Sequence, residues 1–391
     1  MTIGLYYAKP SPHVGGLGKC LDSLMLIRYR TTETGEQEKL ADIFTKDDHG
    51  LGREAFDTEA LYIMRRLNGA GYDAYVVGGA IRDLLLGKKP KDYDVVTNAL
   101  PRKIRRIFRN SRIIGRRFQL VHVYFQNKII EVSTFRTSEP ADSHNIFGTM
   151  AEDVRRRDFT FNALYYDPKE EYIIDYVGGY CDIIDRRLRA LVPLDATFKE
   201  DPVRMIRAIR YASTTGIRLT GKVSKQIKRN AALIDKCPMS RLTEELFKML
   251  ESGQSKSIFA VAHECEVLAR LMPRLAKTLD KDPGGTLRES LFLSLEELDR
   301  RLADRAEVRR SDMILALAKP LLGPNIAQAE DLHVTHREIF HNIKRLIAPL
   351  TPPNAEIERS VDILLGIKHG TIARSRRRTH HRRRPREKKN N

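Results

Sequence analysis

The hydrophobic pattern separates a front part, with strand-like and helix-like segments, from a rear part that is helical. Short apolar runs that predict buried strands occur at 74–77, 95–96, 118–125, 128–135 and 172–176. Apolar residues at helical spacing predict helices over 60–67 and 104–108. Beyond Tyr211 the apolar residues keep helical spacing without strand alternation. We therefore expect an α/β (α+β) head with a small mixed β-sheet, followed by an all-helical region.

A glycine pair follows the first predicted strand and opens a helical turn. The sequence Val77-Gly78-Gly79-Ala80-Ile81-Arg82-Asp83 places both glycines directly after the apolar run. Glycine lets backbone N–H groups approach a phosphate closely, and the N-terminus of a helix favours its negative charge. Arg82 in the first turn can add a forked contact to the same anion. The stretch therefore predicts a phosphate-binding loop.

Two aspartates separated by one residue stand at the start of the next predicted strand. Asp92 and Asp94 should point to one face, since residues i and i+2 of a strand share a face. Adjacent carboxylates repel unless a cation lies between them, and Mg²⁺ with substrate phosphates is the usual partner. An isolated Asp-x-Asp is more often a solvated edge, but the glycine pair upstream favours two-metal phosphoryl transfer. Glu131 is a candidate third metal ligand, and a structural salt bridge explains it equally well.

Composition adds a polyanionic partner to this picture. The 391-residue chain has a net charge of +18 and a pI near 9.7, which favours nucleic acid over no specific partner. Its four cysteines lie far apart without metal-ligand spacing, which predicts reduced thiols in a cytoplasm. No apolar run approaches the ~18–20 residues of a membrane span. The first 27 residues also lack the pattern of a signal peptide.

Basic residues cluster in the helix predicted after Pro101 and at the end of the chain. The helix carries Arg102, Lys103, Arg105, Arg106 and Arg109. This run is either a solvated face or, because it has a single sign, an RNA or phosphate contact. The end of the chain carries Arg376, Arg377, Arg378, Arg382, Arg383 and Arg384. We expect this tail to be disordered when free and to bind phosphate backbones in a salt-sensitive way.

Two further segments combine arginines with other polar groups. Arg156-Arg157-Asp158 with Asn162 suits either a bound triphosphate or ribose, or a salt-bridged helix start. Arg204, Arg207 and Tyr211 share one face of a later helix. That face suits base recognition or an ordinary amphipathic helix with solvated arginines.

Four motifs in this order resemble the motif set of the class II nucleotidyltransferases, which include bacterial poly(A) polymerases and CCA-adding tRNA nucleotidyltransferases. The motifs lie at 77–83, 91–94, 156–164 and 200–204. The resemblance covers residues 56–255 well and the helical remainder in general character. The segments at 115–123 and 146–149, Tyr165-Tyr166 and the basic tail are more similar to the poly(A) polymerase version.

The resemblance implies template-independent transfer of AMP from ATP to RNA 3′ ends, in RNA processing and decay. Asp92 and Asp94 would bind two Mg²⁺ ions, and Asp158 would be a further catalytic acid. The implied nucleotide-binding residues are Gly78, Gly79, Arg82, Arg157, Asn162, Asp201, Arg204 and Arg207. The last three would recognise the base without a nucleic-acid template. The charge runs themselves, and not the resemblance, make the arginines of the basic helix and the tail the candidate RNA contacts.

The predicted organisation is an N-terminal extension followed by a head, a neck, a body and a tail. We expect a poorly ordered extension at 1–50, a nucleotidyltransferase head at 51–190, a helical neck with the nucleotide-recognition helix at 191–255, a helical RNA-binding body at 256–372 and a disordered Arg-rich tail at 373–391. CCA addition to tRNA is the alternative activity, and a basic RNA-binding protein with a decayed catalytic site is the non-enzymatic alternative. We further expect a cytoplasmic monomer with RNA-decay proteins as partners.

Overall fold

The computed structural model describes residues 3–8, 25–115, 119–137, 147–322 and 332–367. The chain forms two compact units. The first runs to Thr197 and includes 215–219, and the second contains 198–214 and the residues from Thr220 onward. All described strands belong to the first unit, which confirms the predicted α/β character of the front part.

The first unit is built on one sheet. Its described strands are β1 (Ile3–Ala8), β2 (Met25–Thr31), β3 (Gln37–Phe44), β4 (Ala74–Val77), β5 (Asp94–Thr97), β6 (Ser111–Ile114), β7 (Leu120–Tyr124), β8 (Ile129–Thr134), β9 (Leu164–Asp167) and β10 (Tyr172–Asp175). They lie in the order β1-β2-β3-β10-β9-β4-β5-β8-β7-β6. Only the β5–β8 pairing is parallel among these ladders, so the sheet is mixed, as predicted. The runs predicted as strands at 118–125 and 128–135 form the antiparallel pair β7–β8, and the run at 172–176 contains β10, which pairs with β9.

The N-terminal segment contradicts the expectation of a loose extension. Strands β1, β2 and β3 form an antiparallel meander, and β3 pairs with β10, so they extend the sheet to ten strands. Leu26, Ala41 and Ile43 are buried in the same core cluster as Val77 and Tyr165. Burial of these apolar side chains orders the segment, and the sheet is therefore larger than predicted. Residues 9–24 lie outside the described part of the chain.

Helices cover the sheet of the first unit and make up the described part of the second. The α-helices are α1 (Lys46–His49), α2 (Thr58–Gly69), α3 (Gly79–Leu85), α4 (Pro101–Ile107), α5 (Met150–Arg155), α6 (Gly179–Ile184), α7 (Leu194–Glu200), α8 (Val203–Thr215), α9 (Gly221–Asn230), α10 (Met239–Leu250), α11 (Ser255–Glu264), α12 (Val267–Leu271), α13 (Pro273–Asp280), α14 (Thr286–Ala303), α15 (Arg310–Ala318), α16 (Leu332–Ile347) and α17 (Asn354–Leu364). Short 3₁₀ segments occupy 53–55, 160–162, 231–236 and 319–321.

Local sequence explains where the helices near the site begin. The Asp57 carboxylate accepts hydrogen bonds from the backbone N–H groups of Glu59 and Ala60, which caps α2. Thr149 and Glu152 form a reciprocal capping box at the start of α5. Pro101 occupies the first turn of α4, where its missing N–H has no helical partner to lose. The helices that frame the site therefore start where the side chains favour it.

None of the helices in the described ranges combines the length and the apolar character needed to cross a membrane. Cys181, Cys237 and Cys265 are buried free thiols, which agrees with the prediction of reduced cysteines. Cys20 lies outside the described residues.

Candidate active site

The glycine pair forms the turn between β4 and α3. Gly78 has φ +75° and ψ −123°, a conformation that side-chain-bearing residues rarely adopt. A Cβ atom at Gly78 would lie 3.2 Å from Nη1 of Arg157 and 3.6 Å from the backbone oxygen of Asn162. At Gly79 it would meet only Nη2 of Arg82, at 3.6 Å. The first glycine is therefore required by backbone conformation and close packing, whereas the second is not.

A hydrogen-bonded chain links Arg82 to Asp158. Arg82, which is buried, donates from Nη1 to Oδ1 of Asn162 at 2.8 Å and from Nε and Nη2 to Oδ1 of Asp83. Asn162 Nδ2 donates to Oδ1 of Asp158 at 2.9 Å, and the same oxygen accepts from the N–H of Phe159. Arg82 thus meets Asn162 and Asp158, which lie more than 75 residues later in the sequence, beside the glycine turn.

Asp94 begins β5 at the point where β4 ends. It pairs with Val77 across the antiparallel ladder and with Glu131 across the parallel one. Val77, Asp94, Glu131 and Arg157 all line a cavity of about 260 Å³. The Asp94 side chain is exposed towards solvent at this cavity, but protein atoms surround the rest of it. That desolvation, together with the negative charges of Glu131 and Asp92, raises the pKa of Asp94 to about 6, although the positive charge of Arg157 lowers it.

Asp92 lies in the loop before β5 and not on the strand itself. The strand starts at Asp94, so the predicted same-face argument does not apply directly to this pair. Asp92 is exposed and lines a different cavity of about 570 Å³. Its charge still reaches Asp94, because it contributes to the raised pKa of that residue.

Glu131 has a structural partner on the neighbouring strand. Its Oε1 lies 3.2 Å from Nε2 of His122, which faces it across the β7–β8 ladder. The His122 side chain is half-buried. Among the described residues, no group of three or more Asp, Glu, His or Cys side chains is placed to hold a metal ion. The role of Glu131 as a third ligand stays a prediction.

Arg157 is enclosed by groups that the sequence did not single out. It donates from Nη2 to Oδ2 of Asp153 at 2.9 Å, from Nε to the Tyr165 hydroxyl at 3.2 Å and from Nη1 to the Asn162 backbone oxygen at 3.2 Å. Tyr165 donates to Oδ2 of Asp153 at 2.8 Å. Burial raises the pKa of Tyr165, which keeps its hydroxyl neutral and able to donate. The signal for Asp153 was its position four residues before Arg157 on a helical pattern.

Asp201, Arg204 and Arg207 lie in the second unit, Asp201 two residues before the start of α8 and both arginines on that helix. Asp201 accepts a hydrogen bond from the N–H of Val203 and forms a 2.6 Å ion pair with Arg241. Arg204 is buried and pairs with Glu200 at 2.7 Å. Arg207 donates to the Tyr211 hydroxyl at 2.7 Å, so the predicted arginine–tyrosine face is present.

Sequence reasoning also missed Glu245 in the second unit. This buried carboxylate on α10 lies 3.9 Å from Arg207, 3.7 Å from Arg210 and 3.3 Å from Lys248. A buried carboxylate among three cations holds their side chains in place. The sequence shows only the helical spacing of the α10 residues, and that spacing does not identify their partners on α8.

The basic helix α4 is exposed as predicted. Its apolar residues face inward, whereas Arg102, Lys103, Arg105 and Arg106 are exposed. Arg105 bonds to the carbonyl oxygens of Phe108 and Arg109 and thereby caps the end of the helix. The tail arginines at 376–378 and 382–384 lie outside the described residues.

Comparison with known proteins places these motifs in one family. Residues 74–189 match the family model described as the poly A polymerase head domain. Residues 216–279 match the model described as the probable RNA and SrmB-binding site of polymerase A. The first match contains the glycine turn, the carboxylates and the Arg82–Asn162–Asp158 chain.

Relatives and solved structures agree with these matches. The chain is 36% identical over 315 residues to poly(A) polymerase I of Escherichia coli, covering 76% of this chain and 68% of that protein. It is 40% identical over 198 residues to the CCA-adding enzyme of Geobacillus thermodenitrificans, covering 49% of each. The crystal structure of the Bacillus stearothermophilus CCA-adding enzyme with CTP is similar, with a TM-score of 0.51, 27% identity and coverage of 83% of this chain and 82% of that one. The chain belongs to the class II nucleotidyltransferase family, which contains the bacterial poly(A) polymerases and the CCA-adding enzymes.

Proposed function

We propose that this nucleotidyltransferase is a template-independent poly(A) polymerase that transfers AMP from ATP to RNA 3′ ends. The observation that carries the choice is the extent of the likeness to poly(A) polymerase I, which spans 76% of the chain, against 49% for the CCA-adding enzyme. The net charge of +18 supports RNA as the acceptor. The linked Arg82, Asn162 and Asp158 beside an intact glycine turn support an enzyme over a decayed RNA-binding protein.

Mg²⁺ fits the carboxylates of the first unit. Asp94 has a raised pKa because the protein desolvates it and places Glu131 and Asp92 nearby without a compensating charge strong enough to cancel them. A bound cation would remove that penalty. Since the described residues hold no three-ligand cluster, Asp92 and Asp94, with Glu131 as a further candidate, would share the ion with nucleotide phosphates. The ion would supply charge stabilisation and activation of an oxygen nucleophile.

The remaining roles belong to protein groups. The backbone at Gly78 and Gly79 would let the triphosphate approach closely, and Arg82, held by Asn162 and Asp83, would bind its charge. Asp158 would act as the further acid of the site, and Arg157 and Asn162 would order the nucleotide. For Asp201, Arg204 and Arg207, base recognition rests on the family motif. The bond from Arg207 to Tyr211 supports a fixed recognition surface within the second unit.

Substitution of single carboxylates tests the catalytic assignment. Asp92→Asn and Asp94→Asn should each lower the rate of AMP addition by at least ~10³-fold, because catalysis of phosphoryl transfer is mainly positioning and charge stabilisation. RNA affinity, measured by fluorescence anisotropy, should stay within about twofold of the unsubstituted protein, since the substitution alters one carboxylate outside the basic surfaces. Asp47→Asn, an exposed aspartate on α1, is the matched control. Substantial remaining activity in Asp94→Asn would contradict the assignment.

We also propose a cellular compartment, an oligomeric state and protein partners. The buried free thiols of the described residues support a reducing compartment, and we propose the cytoplasm. We also propose that the protein acts as a monomer alongside RNA-decay proteins. Sedimentation of the purified chain tests the monomeric state, and a dimer at micromolar concentration would contradict it.

A further inference from the structure

Helices α2 and α4 pack side by side in the first unit and present neighbouring cations to solvent. The rings of Tyr62 on α2 and Phe108 at the end of α4 lie edge to face, with centroids 6.5 Å apart. Arg65 and Arg66 on α2 are exposed, as are Arg102 and Arg106 on α4 and Arg109 just beyond it. None of the five arginine guanidinium groups has a carboxylate partner within the described ranges. The two helices thus share a surface of a single charge sign.

Nearby carboxylates do not neutralise this surface, because other groups hold them. Glu59, one turn before Tyr62, forms a 2.6 Å ion pair with Lys128. Asp73, beyond the end of α2, accepts a hydrogen bond from the side-chain amide of Asn98 and forms no ion pair with these five arginines. The arginines therefore keep their charge available for a partner from solution.

An exposed aromatic ring lies among these arginines. Tyr62 is 37% exposed, and the guanidinium groups of Arg65 and Arg66 lie 5.9 and 6.0 Å from its ring centroid. Phe108 and Phe125 contact the ring edge-on from the protein side. Cations that follow a backbone, combined with an aromatic ring on which a base can stack, are the combination by which proteins bind single-stranded nucleic acid.

We propose that this surface binds the single-stranded RNA substrate upstream of its 3′ end. The α2–α4 basic surface consists of Tyr62, Arg65, Arg66, Arg102, Arg106 and Arg109. The proposal rests on the proposed function for the identity of the RNA. An acidic protein would match the charge alone, whereas the exposed Tyr62 ring beside two guanidinium groups also matches an unpaired base.

Strand β5 leads from the candidate active site towards this surface. Asp94 begins β5, and α4 starts four residues after Thr97. RNA with its 3′ end at Asp94 would therefore contact α4 through nucleotides upstream of that end.

Binding measurements with a charge-matched control test the surface directly. The variant Arg102→Gln/Arg106→Gln/Arg109→Gln removes three unpaired cations with a residue of good helix propensity. The control Arg30→Gln/Lys169→Gln/Arg300→Gln removes the same charge from exposed cations that already have carboxylate partners. For an RNA of about 20 nucleotides, the Kd of the variant should rise about 10-fold at low salt, and the salt slope should fall by roughly 2. The control should change Kd by less than about twofold.

The aromatic part of the surface has its own variant. Tyr62→Leu keeps an apolar side chain against Phe108 and Phe125 but removes the stacking ring. We expect Kd for the 20-nucleotide RNA to rise about fivefold or more, since stacking contributes about 1–3 kcal/mol per base. The salt slope should stay near that of the unsubstituted protein, because no charge is removed.

Steady-state kinetics locate the contact along the RNA. The KM for AMP addition should rise more in the triple variant for an RNA of about 20 nucleotides than for one of about four, since the longer RNA can contact more of the α2–α4 basic surface. An equal rise for both lengths would overturn the upstream location. Equal Kd and salt slope in variant and control would overturn RNA binding here and point to an acidic protein as the occupant. Failure of the unsubstituted protein to add AMP to either RNA would contradict the proposed function. The comparison of Kd values between variant and control would still show whether the α2–α4 basic surface binds RNA.

Discussion

A guanidinium that is largely shielded from water is costly unless its charge is paired and its N–H groups are bonded, and Arg157, whose side chain is 22% exposed, meets both conditions. Asp153 supplies the charge, and the Tyr165 hydroxyl and the Asn162 backbone oxygen accept the remaining bonds. Arg157 also packs against the position where Gly78 has no Cβ, 3.2 Å from its Nη1. At the scale of residues, Arg157 therefore shapes the glycine turn as well as lining the cavity with Asp94.

Removal of the partners of Arg157 should destabilise the protein by different amounts. Asp153→Ala should lower the free energy of unfolding by about 1.5–3 kcal/mol, because it removes a charge-assisted hydrogen bond from Arg157, whose charge is largely shielded from water. Tyr165→Phe should lower it by about 1–2 kcal/mol, because one neutral hydroxyl is lost. Urea titration followed by circular dichroism measures both values, and Glu170→Ala at an exposed site is the control. A loss below about 1 kcal/mol for Asp153→Ala would show that the pair does not hold Arg157.

The two glycines of the turn should respond differently to alanine. Gly78→Ala places a Cβ at positive φ and against Arg157, so it should destabilise the fold by about 1–3 kcal/mol and lower AMP addition. Gly79→Ala makes only an ordinary 3.6 Å contact, so the fold should persist while the KM for ATP rises. Urea unfolding and steady-state kinetics on both variants test this contrast. Equal losses of stability in the two variants would contradict it.

At the residue scale, the sequence predicted the local chain at the glycine turn but not the partners that come from elsewhere, and the roles of the site residues stay predictions. The glycine turn with Arg82 follows from neighbouring residues. The bond from Arg82 to Asn162 joins residues 80 positions apart, and only the family motif put them in one site. The sequence shows that Asp153 is a carboxylate and Tyr165 an aromatic residue in an apolar run. It does not indicate that the two side chains enclose Arg157.

At the scale of elements, strands β1 to β3 were the main feature that the sequence did not predict. Strand β3 is buried only in its second half, at Ala41, Ile43 and Phe44, so it lacks the alternation of a half-buried strand. In β2, consecutive residues Leu26 and Ile27 are both buried, which again breaks the period of two. The pairing of β3 with β10 spans more than 120 residues, and such tertiary context overrides local pattern.

The N-terminal strands should contribute to the stability of the first unit. Ile43→Ala removes a side chain that is 2% exposed and should lower the free energy of unfolding by about 2–5 kcal/mol. Leu5→Ala on the edge strand β1, at 49% exposure, should change it by less than about 0.5 kcal/mol. Thermal and urea unfolding of the two variants measure the difference. A negligible effect of Ile43→Ala would contradict this contribution and support the predicted loose extension.

At the scale of the whole molecule, the charge of +18 is distributed between the described basic surfaces and the tail at 373–391. A cationic segment binds phosphates through counterion release, without regard to sequence. Deletion of 373–391 should therefore weaken binding to RNAs of different sequence by similar factors and lower the salt slope. Anisotropy titrations with two unrelated RNAs at several salt concentrations test this. A loss confined to one RNA sequence would contradict a purely electrostatic tail.

The central claim is that the chain extends RNA with AMP alone, and product sizing tests it most directly. Purified protein with Mg²⁺ would receive an A-ended oligonucleotide or a tRNA lacking its terminal CCA, with ATP alone, CTP alone or both. We predict long ladders on the oligonucleotide with ATP alone and little product with CTP alone. Addition that stops after three nucleotides on the tRNA and requires CTP first would contradict the claim and establish a CCA-adding enzyme.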